Sequence, residues 1–149
     1  MKKVLSLFLA LAVLTPVLPS LHAQDAAKKE TELETAMGKM NGAFRKLRRQ
    51  VSDATKSAEN LELVAKLRAG AEESTKLIPA LAAERPEAER PAFIAGYKKQ
   101  MQEFLAALAP LEAALKANNT AEAEKLVAQL KDLQTKGHKA YKKQDEKKS

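Results

Sequence analysis

The chain has 149 residues, with 26 Lys and Arg against 19 Asp and Glu, a formal net charge of +7 and no cysteine. Lack of thiols excludes a disulfide staple, a thiolate metal site and a covalent thioether link to a cofactor. With 5 glycines and no Gly-rich run there is no phosphate-cradling loop, so stability must come from a packed core, alone or with a bound group.

Lys2 and Lys3 open the chain, and an apolar run from Val4 to Leu18 follows, broken only by Ser6, Thr15 and Pro16. Leu21-His22-Ala23 then places a small residue at a cleavage position. This layout predicts a secretory signal peptide over residues 1–23. The run is about 15 residues, short of the ~20 that span a bilayer, and no later segment is apolar enough to cross one. The expectation is a periplasmic protein, residues 24–149, without stable membrane insertion after cleavage. Its length suits one domain. Its basic excess gathers at the C-terminus, where Lys136, Lys139, Lys142, Lys143, Lys147 and Lys148 face only Asp145 and Glu146.

Residues 24–149 are rich in Ala, Leu, Glu, Lys and Gln, which favour helix, and no stretch alternates with the period of a strand. Helix one is expected over about 25–55, with a seam of Leu33, Met37, Met40, Phe44, Leu47 and Val51 stepping by three and four. A loop follows, with Asn60 as N-cap. Helix two is expected over about 61–78, with Leu61, Val64, Leu67, Ala71 and Ile78 inward, closed by Pro79. The connection 80–90 is the longest. Helix three, about 91–117, starts on Pro91 and carries the cleanest seam: Ile94, Tyr97, Met101, Phe104, Leu108, Leu111, Leu115. Pro110 should bend it. Asn118-Asn119-Thr120 breaks the pattern, and Asn119 with Glu122 has capping-box spacing. Helix four, about 121–143, turns Leu126, Leu130, Leu133, Gly137 and Tyr141 inward. The fold class is all-α, an antiparallel up-down-up-down four-helix bundle.

After the leader a single histidine remains, His138. A di-iron carboxylate bundle needs paired Glu-x-x-His motifs, and Thr135 stands three residues before His138. No Ser/His/Asp or Cys/His arrangement can be built, so no enzyme is expected. Met37 lies 18 residues before Thr55, and His138 lies 18 residues after Thr120. At 1.5 Å per residue both stand roughly 27 Å along the bundle from the same end. Imidazole and thioether are a known axial pair for haem iron. Each residue also has a plainer reading: Met37 as core filler, His138 as a complement to the helix macrodipole. The lysine-rich end has no interleaved aromatics, so it reads as a solvated face and not a nucleic-acid site; it suits docking of an acidic redox partner.

Three segments carry a family resemblance. Glu32-Leu33-Glu34-Thr35-Ala36-Met37, Phe93-Ile94-Ala95-Gly96-Tyr97, and Leu130-Lys131 followed by His138 and Tyr141 resemble, in order, the opening, third-helix and closing segments of the cytochrome b562 family. The resemblance covers nearly all of 31–142. It implies one non-covalent haem b per chain, with Met37 and His138 as axial ligands and Phe93 and Tyr97 lining the pocket. It also implies electron transfer by a monomer whose redox partner the sequence does not name. The chain departs from the family pattern at Gln134, where a basic residue is usual, and at Gly137, where a bulky aromatic is usual. Met40, one turn from Met37, is a substitute thioether. The competing expectation is a haem-free periplasmic bundle with a binding or chaperone-like role.

Overall fold

The computed structural model describes residues 31–142. The leader expected over 1–23, the first residues of the expected helix one and the lysines beyond residue 142 lie outside them. Among the described residues there are four α-helices: α1 (Glu32–Gln50), α2 (Ser57–Ser74), α3 (Arg90–Lys116) and α4 (Thr120–Tyr141). They run up, down, up and down. α1 packs on α2, α2 on α3 and α3 on α4. The fourth side of the ring, α1 against α4, is the loosest.

α1 starts on a reciprocal cap. The Glu34 N–H donates to Thr31 Oγ1 (3.1 Å), and the Thr31 N–H donates to Glu34 Oε2 (2.8 Å). This satisfies two donors that a helix N-terminus otherwise leaves unpaired. The helix ends at Gln50, five residues earlier than expected, because Asp53 takes over as a cap: its Oδ1 accepts from the Thr55 N–H (2.9 Å) and from Thr55 Oγ1 (2.6 Å). A short 3-10 turn, Ala54–Lys56, leads directly into α2.

Asn60 does not cap α2. The helix has already begun at Ser57, and Asn60 is fully buried within it. Its Oδ1 accepts from Gln50 Nε2 at 2.9 Å and its Nδ2 donates to the Gln50 carbonyl at 3.4 Å. The amide that suited a cap instead ties the end of α1 to the start of α2. α2 ends at Ser74, not Ile78. Thr75 Oγ1 donates to the Glu72 carbonyl (2.7 Å), and the chain then leaves helical register. Ile78 is therefore 59% exposed, and Pro79 is buried in its place.

Two 3-10 turns, Ala80–Glu84 and Glu87–Glu89, fill the long connection. α3 continues through Pro110 as one helix; the carbonyl deprived of a donor there belongs to exposed Ala106. Asn118 ends it with φ 52°, a left-handed conformation that Asn tolerates well. The Asn119 N–H reaches the Ala114 carbonyl (2.9 Å) and the Asn118 N–H the Leu115 carbonyl (3.1 Å). Asn119 Oδ1 then accepts from the Glu122 N–H (3.1 Å) to cap α4. Two residues thus reverse the chain with few lost hydrogen bonds.

The expected seams supply the core. Phe44, Leu47, Val64, Leu67, Leu108, Leu111 and Leu130 are almost wholly buried, and each large apolar side chain so buried stabilises by about 1.5–3 kcal/mol. Leu63, Val127 and Ala123 join it from positions off those seams. No helix among the described residues is long and apolar enough to cross a membrane.

Candidate functional site

The antiparallel arrangement gathers the start of α1, the end of α2, the start of α3 and the end of α4 at one end of the bundle. There the α1–α4 seam holds a cavity of about 480 Å³, within the range of small-molecule and cofactor sites. α1 contributes Leu33, Met37, Met40 and Phe44; α3 contributes Tyr97, Met101 and Phe104; α4 contributes Leu133, Gly137, His138 and Tyr141. Pro79, Ala80 and Leu81, from the α2–α3 connection, also line it. Polar groups enter at Glu34, Asn41, Gln100, Gln134 and Lys142.

Met37 and His138 therefore line one cavity, from the two helices whose interface is open. His138 stands exposed at its rim, and its ring makes no hydrogen bond to another described residue. Partial desolvation, followed by the nearby Lys142 ammonium, holds its pKa below the usual 6.5. Both causes disfavour the imidazolium and favour the neutral ring, the form with a lone pair for a metal. Met37 is half-buried at the edge of the core.

Tyr97 lines the cavity and is 3% exposed. Its hydroxyl finds a partner by donating to the Ser74 carbonyl at 3.0 Å. Burial pushes its pKa up to about 12. Phe93 stands outside the lining. Its ring packs at a tilt against Tyr141 with centroids 5.1 Å apart, and the Arg85 guanidinium lies 4.9 Å from its centroid. Tyr141 also meets Tyr97 edge-on at 5.5 Å. Phe93 thus supports a wall residue without being one.

Three positions, one lining the cavity and two behind it, had no signal strong enough to single them out. Gln100 lines the cavity and donates to the Leu133 carbonyl at 3.1 Å, joining α3 to α4. Ser74 is fully buried and touches both α1 and α3. Gly70 sits against Met40, where a Cβ would come within 2.5 Å of Met40 Cγ. The one available hint for Gly70 was its place in a helix interior, where glycine costs about 1 kcal/mol and asks for a packing reason.

No group of three or more His, Cys, Asp or Glu comes together among the described residues, so the donors on offer are one imidazole and the thioethers. That donor set, in an apolar hollow between unsealed helices, fits a flat hydrophobic prosthetic group holding a metal between two faces. The fold and this hollow define a four-helix-bundle protein with an open apolar site between α1 and α4. Residues 32–142 match the family model described as Cytochrome b562, and the chain belongs to the cytochrome b562 family. Members of that family are b-type haem-binding electron carriers and not typically enzymes. No curated protein matches the chain.

Proposed function

We propose that the chain binds one non-covalent haem b in the cavity between α1 and α4, held by Met37 and His138, and carries single electrons as a periplasmic monomer. The observation that carries this reading is the shared lining: the one imidazole of the described residues and a half-buried thioether border the same hollow. The family supplies the haem; this chain's residues supply its surroundings. The neutral His138 ring offers a nitrogen donor, and the soft Met37 thioether favours ferrous iron and raises the potential.

The haem iron supplies a one-electron change. Held by both Met37 and His138, the group would offer no position to oxygen or substrate, which suits outer-sphere transfer. Leu33, Phe44, Met101 and Phe104 wall off water and keep the surroundings apolar, while Lys142 and Gln134 at the rim are the groups placed to meet carboxylates. The export layout of residues 1–23 supports the periplasmic location. Lys136, Lys139 and Lys142 leave the open end of α4 basic, which favours an acidic redox partner.

The test is a hemin titration of the purified protein, followed by reduction. Sharp low-spin bands are expected; a spectrum unchanged from free hemin would sink the proposal. His138→Ala should abolish those bands, and their survival would remove His138 as ligand. Met37→Ala should leave a high-spin species.

A further inference from the structure

Met37 and Met40 are three residues apart on one face of α1, and both line the cavity. A metal offered to that cavity meets two thioethers of equal chemistry. The structure treats them differently. Met40 is 7% exposed, and Ser74 Oγ donates to its sulfur at 3.9 Å, the reach of a weak hydroxyl–thioether contact. One turn before Ser74, Gly70 leaves room for the Met40 side chain: a Cβ at 70 would lie 2.5 Å from Met40 Cγ and 3.1 Å from its sulfur. A real side chain never approaches that closely, so Met40 rests in space that only glycine leaves open. Met37 has no such anchorage.

We infer that Gly70 and Ser74 are positioning residues, a cradle on α2 that holds the Met40 thioether away from the metal and leaves Met37 as the one available donor. This rests on the haem reading above and specifies how that site chooses between its two methionines. The cradle is itself braced, because the Ser74 carbonyl accepts from the Tyr97 hydroxyl of α3. α2 carries no proposed ligand, yet it decides which ligand α1 presents. Methionine is flexible enough to reach a neighbouring position when released, so the choice must be imposed by contacts and not by chain geometry alone.

The test uses hemin-loaded protein and the low-spin bands of its reduced spectrum. Met37→Leu keeps the packing and removes the donor, and the bands should be lost although Met40 is present. Adding Ser74→Ala, or separately Gly70→Ala, should bring low-spin bands back, and a further Met40→Leu should remove them again. Thermal unfolding midpoints confirm that each variant is folded; if Gly70→Ala is not, the Ser74→Ala series decides alone. In haem-free protein, peroxide should oxidise Met40 more slowly than Met37, and Ser74→Ala should speed Met40 without changing Met37. The inference is overturned if Met37→Leu alone stays low-spin through Met40, or if neither release variant restores the bands. Absence of low-spin bands in the unsubstituted protein is the separate result that removes the haem reading itself, and this inference with it.

Discussion

The two ends of the bundle are built from the same periodic pattern and end in opposite states. At the closed end, where α1 turns into α2 and α3 into α4, Leu47, Leu108, Leu111 and Ala123 are 0% exposed. There Gln50 Nε2 donates to Asn60 Oδ1 and Asn60 Nδ2 to the Gln50 backbone carbonyl, and Arg68 meets Glu112 at 3.1 Å across α2 and α3. At the open end the corresponding seam residues, Leu33, Met37, Leu133 and Tyr141, are only partly buried, because they border a hollow. Periodicity states which way a residue faces; it does not state how far away the neighbouring helix stands. The closed end uses aliphatic side chains that meet each other. The open end uses thioethers, aromatic rings, an imidazole and Gly137, groups suited to lining a space as well as filling one.

The largest expected effect separates the ends directly. In haem-free protein, Leu108→Ala should lower the unfolding free energy by about 2–5 kcal/mol, the cost of a cavity in a close-packed region. Leu33→Ala at the open end should cost about 1 kcal/mol, since it removes half-buried surface beside an existing hollow. Urea denaturation of both variants checks this. Equal losses would mean that the open end is as tightly packed as the closed one. Hemin should widen the penalty of Leu33→Ala and leave that of Leu108→Ala unchanged.

Next in size is an alkaline effect from Tyr97. The unfolded chain releases its phenolic proton near 10, whereas the folded protein holds it to about 12. As pH rises through that window the unfolded state binds fewer protons, so stability falls. The contribution is fully present below pH 10 and is lost by about pH 12, on the order of 3 kcal/mol. Tyr97→Phe should remove that share of the alkaline loss while costing about 1 kcal/mol at neutral pH for the hydrogen bond to Ser74. Denaturation midpoints at pH 8, 10 and 11 decide it; parallel curves for the two proteins would show that the hydroxyl is not sequestered at the cavity wall.

The contrast between the ends also marks what the sequence could reveal. All four helices were legible, because their seams repeat by three and four over long stretches, and α3 and α4 end within two residues of expectation. The end of α1 and both ends of α2 were less legible, because polar residues there had two uses. Asn60 has the chemistry of a cap and is a buried tie; the end of α2 turns on Thr75 and Pro79, which release Ile78 to solvent. For the site, equal distances from one end put Met37 and His138 at one level of the bundle, the resemblance made them a pair, and both line one cavity. The resemblance alone suggested Phe93 as a wall residue, whereas it packs against Tyr141 outside the lining. Ser74 was illegible and Gly70 carried only a hint, since periodicity gives the face a small residue occupies and not which side chain of the neighbouring helix it meets.

Gly137 gives the smallest expected effect and the finest probe of the open end. It lies within helical backbone and needs no special φ, so its role is spatial. A Cβ there would stand 3.1 Å from Gln100 Nε2 and 3.5 Å from its Cδ, tight enough that the Gln100 side chain must yield by a few tenths of an ångström. That side chain is the donor to the Leu133 carbonyl. Gly137→Ala should gain about 1 kcal/mol of helix propensity and weaken a hydrogen bond worth about 0.5–1.5 kcal/mol. The haem-free protein should therefore change by less than about 1 kcal/mol in either direction. The new methyl also borders the cavity next to His138, so hemin should dissociate faster from the variant than from the parent, measured by transfer to a competing haem acceptor. A stability loss well above 1 kcal/mol would show that Gln100 is locked in place, making this part of the open end as rigid as the closed one. Unchanged hemin dissociation would show that the α4 wall at Gly137 takes no part in holding the group.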